Sequence, residues 1–401
     1  MNIKNCQIGS ARTNWHNSSE KNNTLTSIGS NPLRDYGLTT ANVRANRVPE
    51  TPSLLLFPLS FGIDHSKARC KYPEGNSYTK TKKMATDKNK HLECVLSSHK
   101  ISKEQGLLDK HIAKRNEVKE ALEEKYGSDI YSPFNSGSYA KNTAVNKKFD
   151  FDLMAPFKRD AFDTLEKMYT GVHDFLYEKY KNVATVRKQK VSVGLDFFAD
   201  VDGDVIKIDV VPGRELNQKQ YTEDDKLNLY VYSQFGKIES GSDRLRSNVK
   251  AQIESIRNNA EKSSVRQITR LLKVWKICKG NGPKSFFLEL ITIKAFDKKD
   301  IAGEIWDKLK AVMEFIRDEV KDIALPDPGN GGNDVADTLT DFEKGVLSDD
   351  MKYMIERIEE NSDNVKLYYM VNEKFPCDDE KSDKYDEKKK GMSVPPPTRF
   401  G

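Results

Sequence analysis

The chain has 401 residues, of which 37% are hydrophobic and 32% charged, a composition typical of a folded protein with a solvated surface. Lysine and arginine number 66 against 61 aspartates and glutamates, so the net charge of +5 argues against a protein that coats long nucleic acids. No apolar run approaches the roughly 20 residues that a membrane-spanning helix needs, and the polar N-terminus lacks the apolar core of a signal peptide.

Four segments of different character follow one another along the chain. Residues 1–83 are rich in Asn, Ser, Thr and Gly and show no regular period, which predicts a poorly ordered or atypical N-terminal extension. Residues 84–245 mix helical and strand patterns, and residues 246–375 are mainly helical. Residues 376–401 are charged and then Pro-rich, as in a flexible tail. The sequence therefore predicts an α+β fold with a separate helical half.

The five cysteines are scattered, odd in number and never in a Cys-x-x-Cys pair. Such a pattern is typical of a reducing compartment, so we expect a cytoplasmic protein. We also expect a monomer.

Two stretches of the first half predict strands that carry acidic residues. The stretch from Phe149 to Leu153 alternates strictly between apolar and acidic side chains. Residues 186–198 and 204–211 are predicted to form two further strands joined at Asp202-Gly203, a dipeptide favoured in tight hairpin turns.

Three aspartates on these strands are candidate metal ligands. Asp150 and Asp152 are two residues apart and so point to the same face of their strand. Asp209 lies on the face opposite to Ile208 and Val210 in the later strand. Together the three carboxylates could hold two hard divalent cations about 3.5–4 Å apart, although alternating aspartates are often only a solvated strand face.

A Gly-Ser pair favours the metal interpretation. Gly137 and Ser138 lie 12 residues before Asp150, in a turn-rich stretch that leads into a short helical piece. Glycine allows the backbone to approach a phosphate closely, and a helix N-terminus offers free N–H groups. Taken together, the turn and the carboxylates predict a site for phosphoryl transfer.

The complete array resembles a known family. GSYAKNTAVNKKFDFDL followed by VIKIDVV is similar to the signature of DNA polymerase β-type nucleotidyltransferases, and in detail to the cyclic GMP-AMP synthase-like group called CD-NTases. RLLKVWKICKGNGPKSFFLELI and LPDPGNGGNDVADTL resemble the helical domain shared with oligoadenylate synthetases. The resemblance implies a polymerase β-like core with a mixed sheet, an α-helical C-terminal domain, and an active-site cleft between these two lobes.

The resemblance also implies roles for individual residues. Gly137 and Ser138 would bind the donor triphosphate, and the three aspartates would hold two Mg²⁺ ions, or Mn²⁺, with Asp209 helping to deprotonate the attacking hydroxyl. Lys273 resembles the lysine that neutralises nucleotide phosphates, and Ser285 resembles a serine that contacts the triphosphate across the cleft. From the residues alone, Lys273 could equally be a solvated helix lysine and Ser285 a helix N-cap.

The implied function is template-independent synthesis of a cyclic di- or trinucleotide second messenger from ATP, GTP or pyrimidine nucleoside triphosphates, as in bacterial anti-phage (CBASS) signalling through a downstream effector. The alternatives are a linear oligonucleotide synthetase, an RNA-tailing enzyme, an enzyme that nucleotidylates a protein, or a nucleotide-binding scaffold without activity. The resemblance further implies attachment of Gly401 to other molecules by a ubiquitin-ligase-like partner. Direct DNA sensing is not expected, because residues 245–375 lack a Cys-rich insertion.

Overall fold

A computed structural model describes residues 85–147, 150–233, 243–280 and 282–377. The expectations for the N-terminal extension, for Phe149 and for Gly401 concern residues outside these ranges, as do those for nearly all of the C-terminal tail. The described residues form a mixed sheet and many helices, so the predicted α+β class is confirmed. In the described part of the chain, no helix combines the length and the apolar character that crossing a membrane requires.

The described residues form helices and strands in the following order. The helices are α1 (Lys88–Ser98), α2 (Gln105–Tyr126), α3 (Gly137–Ala140), α4 (Leu165–Tyr180), α5 (Tyr221–Asp224), α6 (Val249–Arg257), α7 (Lys262–Lys279), α8 (Ser285–Lys298), α9 (Ile305–Glu319), α10 (Asp341–Glu360) and α11 (Val365–Tyr368). The strands are β1 (Phe134–Ser136), β2 (Phe151–Phe157), β3 (Ala184–Lys188), β4 (Val193–Phe197), β5 (Lys207–Glu215), β6 (Leu227–Tyr230), β7 (Arg244–Ser247), β8 (Pro326–Asp327) and β9 (Asn330–Asp334).

Seven strands form the main sheet, in the order β1-β2-β5-β4-β3, with β6 pairing the end of β5 and β7 pairing β6. Strands β2 and β5 run parallel, and the other neighbours are antiparallel. A parallel pair needs a long crossover, which α4 and the β3–β4 hairpin supply.

The strand predicted over residues 186–198 is in fact most of a hairpin, in which residues 189–192 form the turn between β3 and β4. The prediction was wrong because this stretch contains none of the Gly, Pro, Asn or Asp residues that usually signal a turn before Gly194.

Two large apolar clusters organise the described residues. One packs α2 and α4 against β2, β4 and β5, with Phe151 and Leu153 of β2 fully buried. The other joins α7 to α11 with α1, whose Leu92 and Val95 are also fully buried. Helix α1 thus packs with the helical half although it precedes the sheet in the sequence. The division into domains at residues 84, 246 and 376 stays a prediction.

A disulfide connects α1 to the last described residue. The Cys94 and Cys377 Sγ atoms are 2.02 Å apart, and the Cα atoms are 5.9 Å apart. Close by, the His91 ring Nε2 lies 2.8 Å from the Tyr369 carbonyl oxygen. The cysteine spacing gave no sign of this pair, because 283 residues separate its members and only the packing of α1 brings them together.

Candidate active site

Two of the predicted metal ligands lie side by side in the centre of the sheet. Asp152 on β2 is directly opposite Asp209 on β5 in the parallel register. Asp150 immediately precedes β2, so its carboxylate lies at the same end of the strand pair. The buried Phe151 and Leu153 anchor β2 in the apolar cluster and thereby fix the two aspartates on the opposite side of the strand.

Burial and then neighbouring negative charges raise the pKa of two of these aspartates. Burial raises the pKa of Asp152 to about 7, and the charges of Asp150 and Asp209 act in the same direction. The pKa of Asp209 is raised to about 6, mainly by burial and then by Asp150. A hard divalent cation would relieve this repulsion, and three carboxylates are oxygen ligands that Mg²⁺ prefers. The donor set therefore fits the implied metal.

The oxygens of the three candidate carboxylates, however, do not all lie within 4.8 Å of one another. In the described ranges, the group of three acids whose oxygens lie within 4.8 Å of one another is Asp200, Asp202 and Asp204 at the tip of the β4–β5 connection. There, Lys110 Nζ lies 2.6–2.7 Å from all three carboxylates and offsets part of their negative charge. Asp209, by contrast, accepts a hydrogen bond at Oδ1 from Gln189 Nε2 at 3.1 Å.

The Gly-Ser turn lies directly against one of the aspartates. Strand β1 pairs with β2 so that Ser136 is opposite Asp152, and α3 begins at the next residue. Gly137 has a φ of +60°, and a Cβ at this position would lie 1.7 Å from Asp152 Oδ2. Any side chain would displace the carboxylate, so glycine is required here.

A cavity of about 450 Å³ joins this turn to the helical half. Six of the seven predicted site residues line it: Gly137, Ser138, Asp150, Asp152, Lys273 and Ser285. The seventh, Asp209, is placed beside them by its register with Asp152. The structure thus brings together residues that lie far apart in the sequence, although their catalytic roles stay a prediction.

No protein-family model matches the sequence, and no curated protein matches it. Among solved structures, the fold is similar to that of E. coli MS115-1 CdnC with ATP, with a TM-score of 0.53 and 20% identity over 68% of this chain and 91% of that chain. It is also similar to the CD-NTase CdnG from Bradyrhizobium diazoefficiens in complex with GTP, with a TM-score of 0.54 and 13% identity over 70% and 96% of the two chains. The STING-associated CdnE c-di-GMP synthase from Capnocytophaga granulosa matches with a TM-score of 0.51 and 14% identity over 69% and 88%. The chain has the CD-NTase fold.

The predicted resemblance is therefore confirmed at the level of the fold, including the polymerase β-like core and the helical half. Within the CD-NTase fold of this chain, Ser285 is the first residue of α8, and Lys284 occupies the N-cap position. The alternative role of Ser285 as an N-cap is thus wrong, because the helix begins one position earlier than that role requires. Ser285 instead lines the cavity next to Phe286.

Lys273 is neither a solvated lysine nor a lone cation in the cavity. Its Nζ donates to Thr143 Oγ1 and Glu289 Oε1, both at 2.8 Å, and to the Thr143 carbonyl oxygen at 3.1 Å. An ammonium has three N–H donors, so these contacts use all of them. The solvated alternative is therefore wrong, and a role in phosphate binding would require Lys273 to leave at least one of these partners.

Glu289 is the centre of this network and was missed in the sequence. Lys141 Nζ donates to Glu289 Oε2 at 2.8 Å and lies 4.4 Å from the centre of the Phe286 ring. Burial alone would raise the pKa of Glu289, but Lys141 and Lys273 outweigh it and lower the pKa to about 2. The sequence did hold a signal, since Glu289 is a single acid within the apolar helix SFFLELI.

The network connects the two halves of the described chain. Lys141 and Thr143 follow directly after α3, whereas Lys273 and Glu289 belong to α7 and α8. Arg266 of α7 adds a hydrogen bond from Nε to the Lys141 carbonyl oxygen at 3.1 Å. Three side chains of the helical half therefore hold the turn that follows α3, and Lys141, Lys273 and Glu289 line the cavity there.

Proposed function

We propose that this protein is a template-independent nucleotidyltransferase that joins nucleoside triphosphates into a cyclic di- or trinucleotide. The observation that carries the proposal is the contact between the Gly137 backbone and the Asp152 carboxylate, in the wall of a cavity that the helical half also lines. A triphosphate bound against the turn would have its reacting phosphorus beside the carboxylates. The CD-NTase fold supports the same conclusion, since one of the proteins that share it is a c-di-GMP synthase.

In the proposed reaction, Gly137 and Ser138 bind the donor triphosphate through backbone N–H groups and the serine hydroxyl. Asp150, Asp152 and Asp209 would hold two Mg²⁺ ions, which when bound activate the attacking hydroxyl and stabilise charge on the transferring phosphoryl group. The excess positive charge of Lys141 and Lys273 over Glu289 attracts the phosphates to the opposite wall.

Cyclisation requires the linear intermediate to be attacked a second time in the same cavity. The intermediate must then turn over in the cavity, so that its attacking and donor ends exchange positions without a template strand. We further propose that the product acts as a second messenger in anti-phage (CBASS) signalling, with a downstream effector as its receptor. Conjugation of Gly401 belongs to the same proposal but concerns a residue outside the described ranges.

The test is a direct search for the product. Purified protein is incubated with all four ribonucleoside triphosphates and Mg²⁺ or Mn²⁺, treated with phosphatase, and analysed by mass spectrometry. We expect a phosphatase-resistant product that is lost in the Asp150→Ala/Asp152→Ala double variant. Asp202→Ala is the matched control, because Asp202 belongs to the exposed acidic group around Lys110 and should leave the product unchanged.

Other outcomes would identify a different function. Products that are entirely sensitive to phosphatase would indicate a linear polymerase, and dependence on added RNA would indicate a tailing enzyme. A nucleotide mass added covalently to a protein would indicate a protein nucleotidyltransferase. If the protein binds nucleotide but forms no product with either Mg²⁺ or Mn²⁺, the result would favour a nucleotide-binding scaffold without activity.

A further inference from the structure

One amide side chain contacts the Asp209 carboxylate from a turn that the sequence did not predict. Gln189 follows β3 directly, and its Nε2 donates to Asp209 Oδ1 at 3.1 Å. Strand β4 lies between β3 and β5 in the sheet, so the glutamine side chain reaches across one full strand to make this bond.

The orientation of the amide is fixed from its other end. Ser192 Oγ donates to Gln189 Oε1 at 2.6 Å, so the carbonyl of the amide is occupied and the NH₂ group faces Asp209. The turn itself is held by the fully buried Tyr169 of α4, whose hydroxyl donates to the Gln189 carbonyl oxygen at 2.7 Å. Because the NH₂ group and the carbonyl oxygen of the amide are both hydrogen-bonded, flipping the amide would cost at least one hydrogen bond.

A glycine makes the crossing possible. Gly194 of β4 is opposite Asp209 in the antiparallel register, and a Cβ at this position would lie 2.5 Å from Gln189 Nε2. The same Cβ would lie 3.2 Å from Asp209 Oδ1. A side chain at this position would displace the amide and would also lie 3.2 Å from Arg187 Nη2, so glycine keeps the space above β4 open for these groups.

We propose that Gln189 is a positioning residue that orients the Asp209 carboxylate for the divalent ion. This inference rests on the proposed function, in which Asp209 is a ligand. Ligating carboxylates are commonly hydrogen-bonded by a second residue that fixes their rotation. A neutral amide suits this purpose because it holds Oδ1 without cancelling the negative charge, whereas a lysine or arginine at the same distance would compete with the metal.

The test measures metal affinity directly, apart from turnover. Mn²⁺ binding to the full-length protein is titrated by electron paramagnetic resonance with a non-hydrolysable ATP analogue present. We expect Gln189→Ala to weaken Mn²⁺ binding about tenfold, and Ser192→Ala, which leaves the amide in place but free to flip, to weaken it less. Lys190→Ala is the matched control, since Lys190 is an exposed residue of the same turn and should leave the affinity unchanged.

A double-mutant cycle separates positioning from other roles. If Gln189 acts through Asp209, Gln189→Ala should have no further effect in an Asp209→Asn background. In turnover assays of the otherwise wild-type protein, kcat should fall about tenfold while KM for ATP stays constant, because Gln189 does not line the cavity. Melting curves identify any variant that fails to fold. If Gln189→Ala does not fold, the Mn²⁺ affinity of Ser192→Ala is the deciding measurement.

Two results would overturn the inference. One is an unchanged Mn²⁺ affinity in folded Gln189→Ala when Asp209→Asn weakens it. The other is an effect of Gln189→Ala that persists in the Asp209→Asn background. Failure of the proposed function is recognised separately, because wild-type protein would then form no nucleotide product while the Mn²⁺ titration still reports on Gln189.

Discussion

Removing the Glu289 carboxylate should destabilise the protein strongly. Its side chain is 4% exposed, and it accepts hydrogen bonds from Lys141, Lys273 and Thr143. The fall of its pKa from 4.5 to about 2 corresponds to about 3 kcal/mol, at 1.36 kcal/mol per pKa unit. Because Glu289→Ala would also leave two buried ammonium groups without their carboxylate, we expect a loss of about 3–5 kcal/mol in the free energy of unfolding.

The loss is measurable by urea denaturation followed by circular dichroism. Glu289→Gln should fall between wild type and Glu289→Ala, because the amide keeps one acceptor but not the charge. The matched control is Glu178→Ala, which removes a 66% exposed partner of Lys181 on α4 and should change stability little. If Glu289→Ala loses no more stability than Glu178→Ala, the buried network does not hold the two halves together and the reasoning fails.

Three further predictions concern the Gly137 turn, the disulfide and the pH dependence of the Glu289 contribution. Gly137→Ala should lower the rate of nucleotide transfer about a hundredfold, because the new Cβ would displace the Asp152 carboxylate. Gly106→Ala, with no atom within 4 Å of its new Cβ, should keep full activity. Equal activities of the two variants would refute this prediction. Reduction of the Cys94–Cys377 disulfide should lower the free energy of unfolding by about 2–4 kcal/mol, and Cys94→Ser should abolish the response to reductant. Because the pKa of Glu289 is lowered on folding, its contribution to stability is complete above pH 4.5 and is lost as the pH falls towards about 2, so the stability difference between wild type and Glu289→Gln should shrink from pH 6 to pH 3.

Much of the sheet side of the site could be predicted because its information is local. Alternation of apolar and acidic residues places Asp152 on the side of β2 that faces away from the apolar cluster, and the same pattern places Asp209 on β5. The short distance between Gly137 and Asp150 along the chain already suggested that the turn lies near the acids.

The helical side could not be predicted in the same way, because its contacts depend on tertiary packing. Nothing near Lys273 in the sequence shows that Glu289, 16 residues further along the chain and on the next helix, would take its charge. The hairpin turn at Gln189 was missed because its residues carry no turn signal, and the turn is stabilised from a distance by Tyr169. In both cases the decisive partner lies on another element.

The position of α1 also affects how the chain can assemble. This helix leaves the ribosome before the sheet, yet its apolar side is covered by α7, α9 and α11, and its His91 ring meets the carbonyl oxygen of Tyr369 near the end of the described chain. During synthesis the apolar side of α1, with Leu92 and Val95, therefore stays uncovered until α7, α9 and α11 have been made. Contacts between such distant parts slow folding and leave apolar surface open to aggregation. A fragment that begins after α1 would lack one wall of the helical cluster, and fragments for expression should keep both ends of the described chain together.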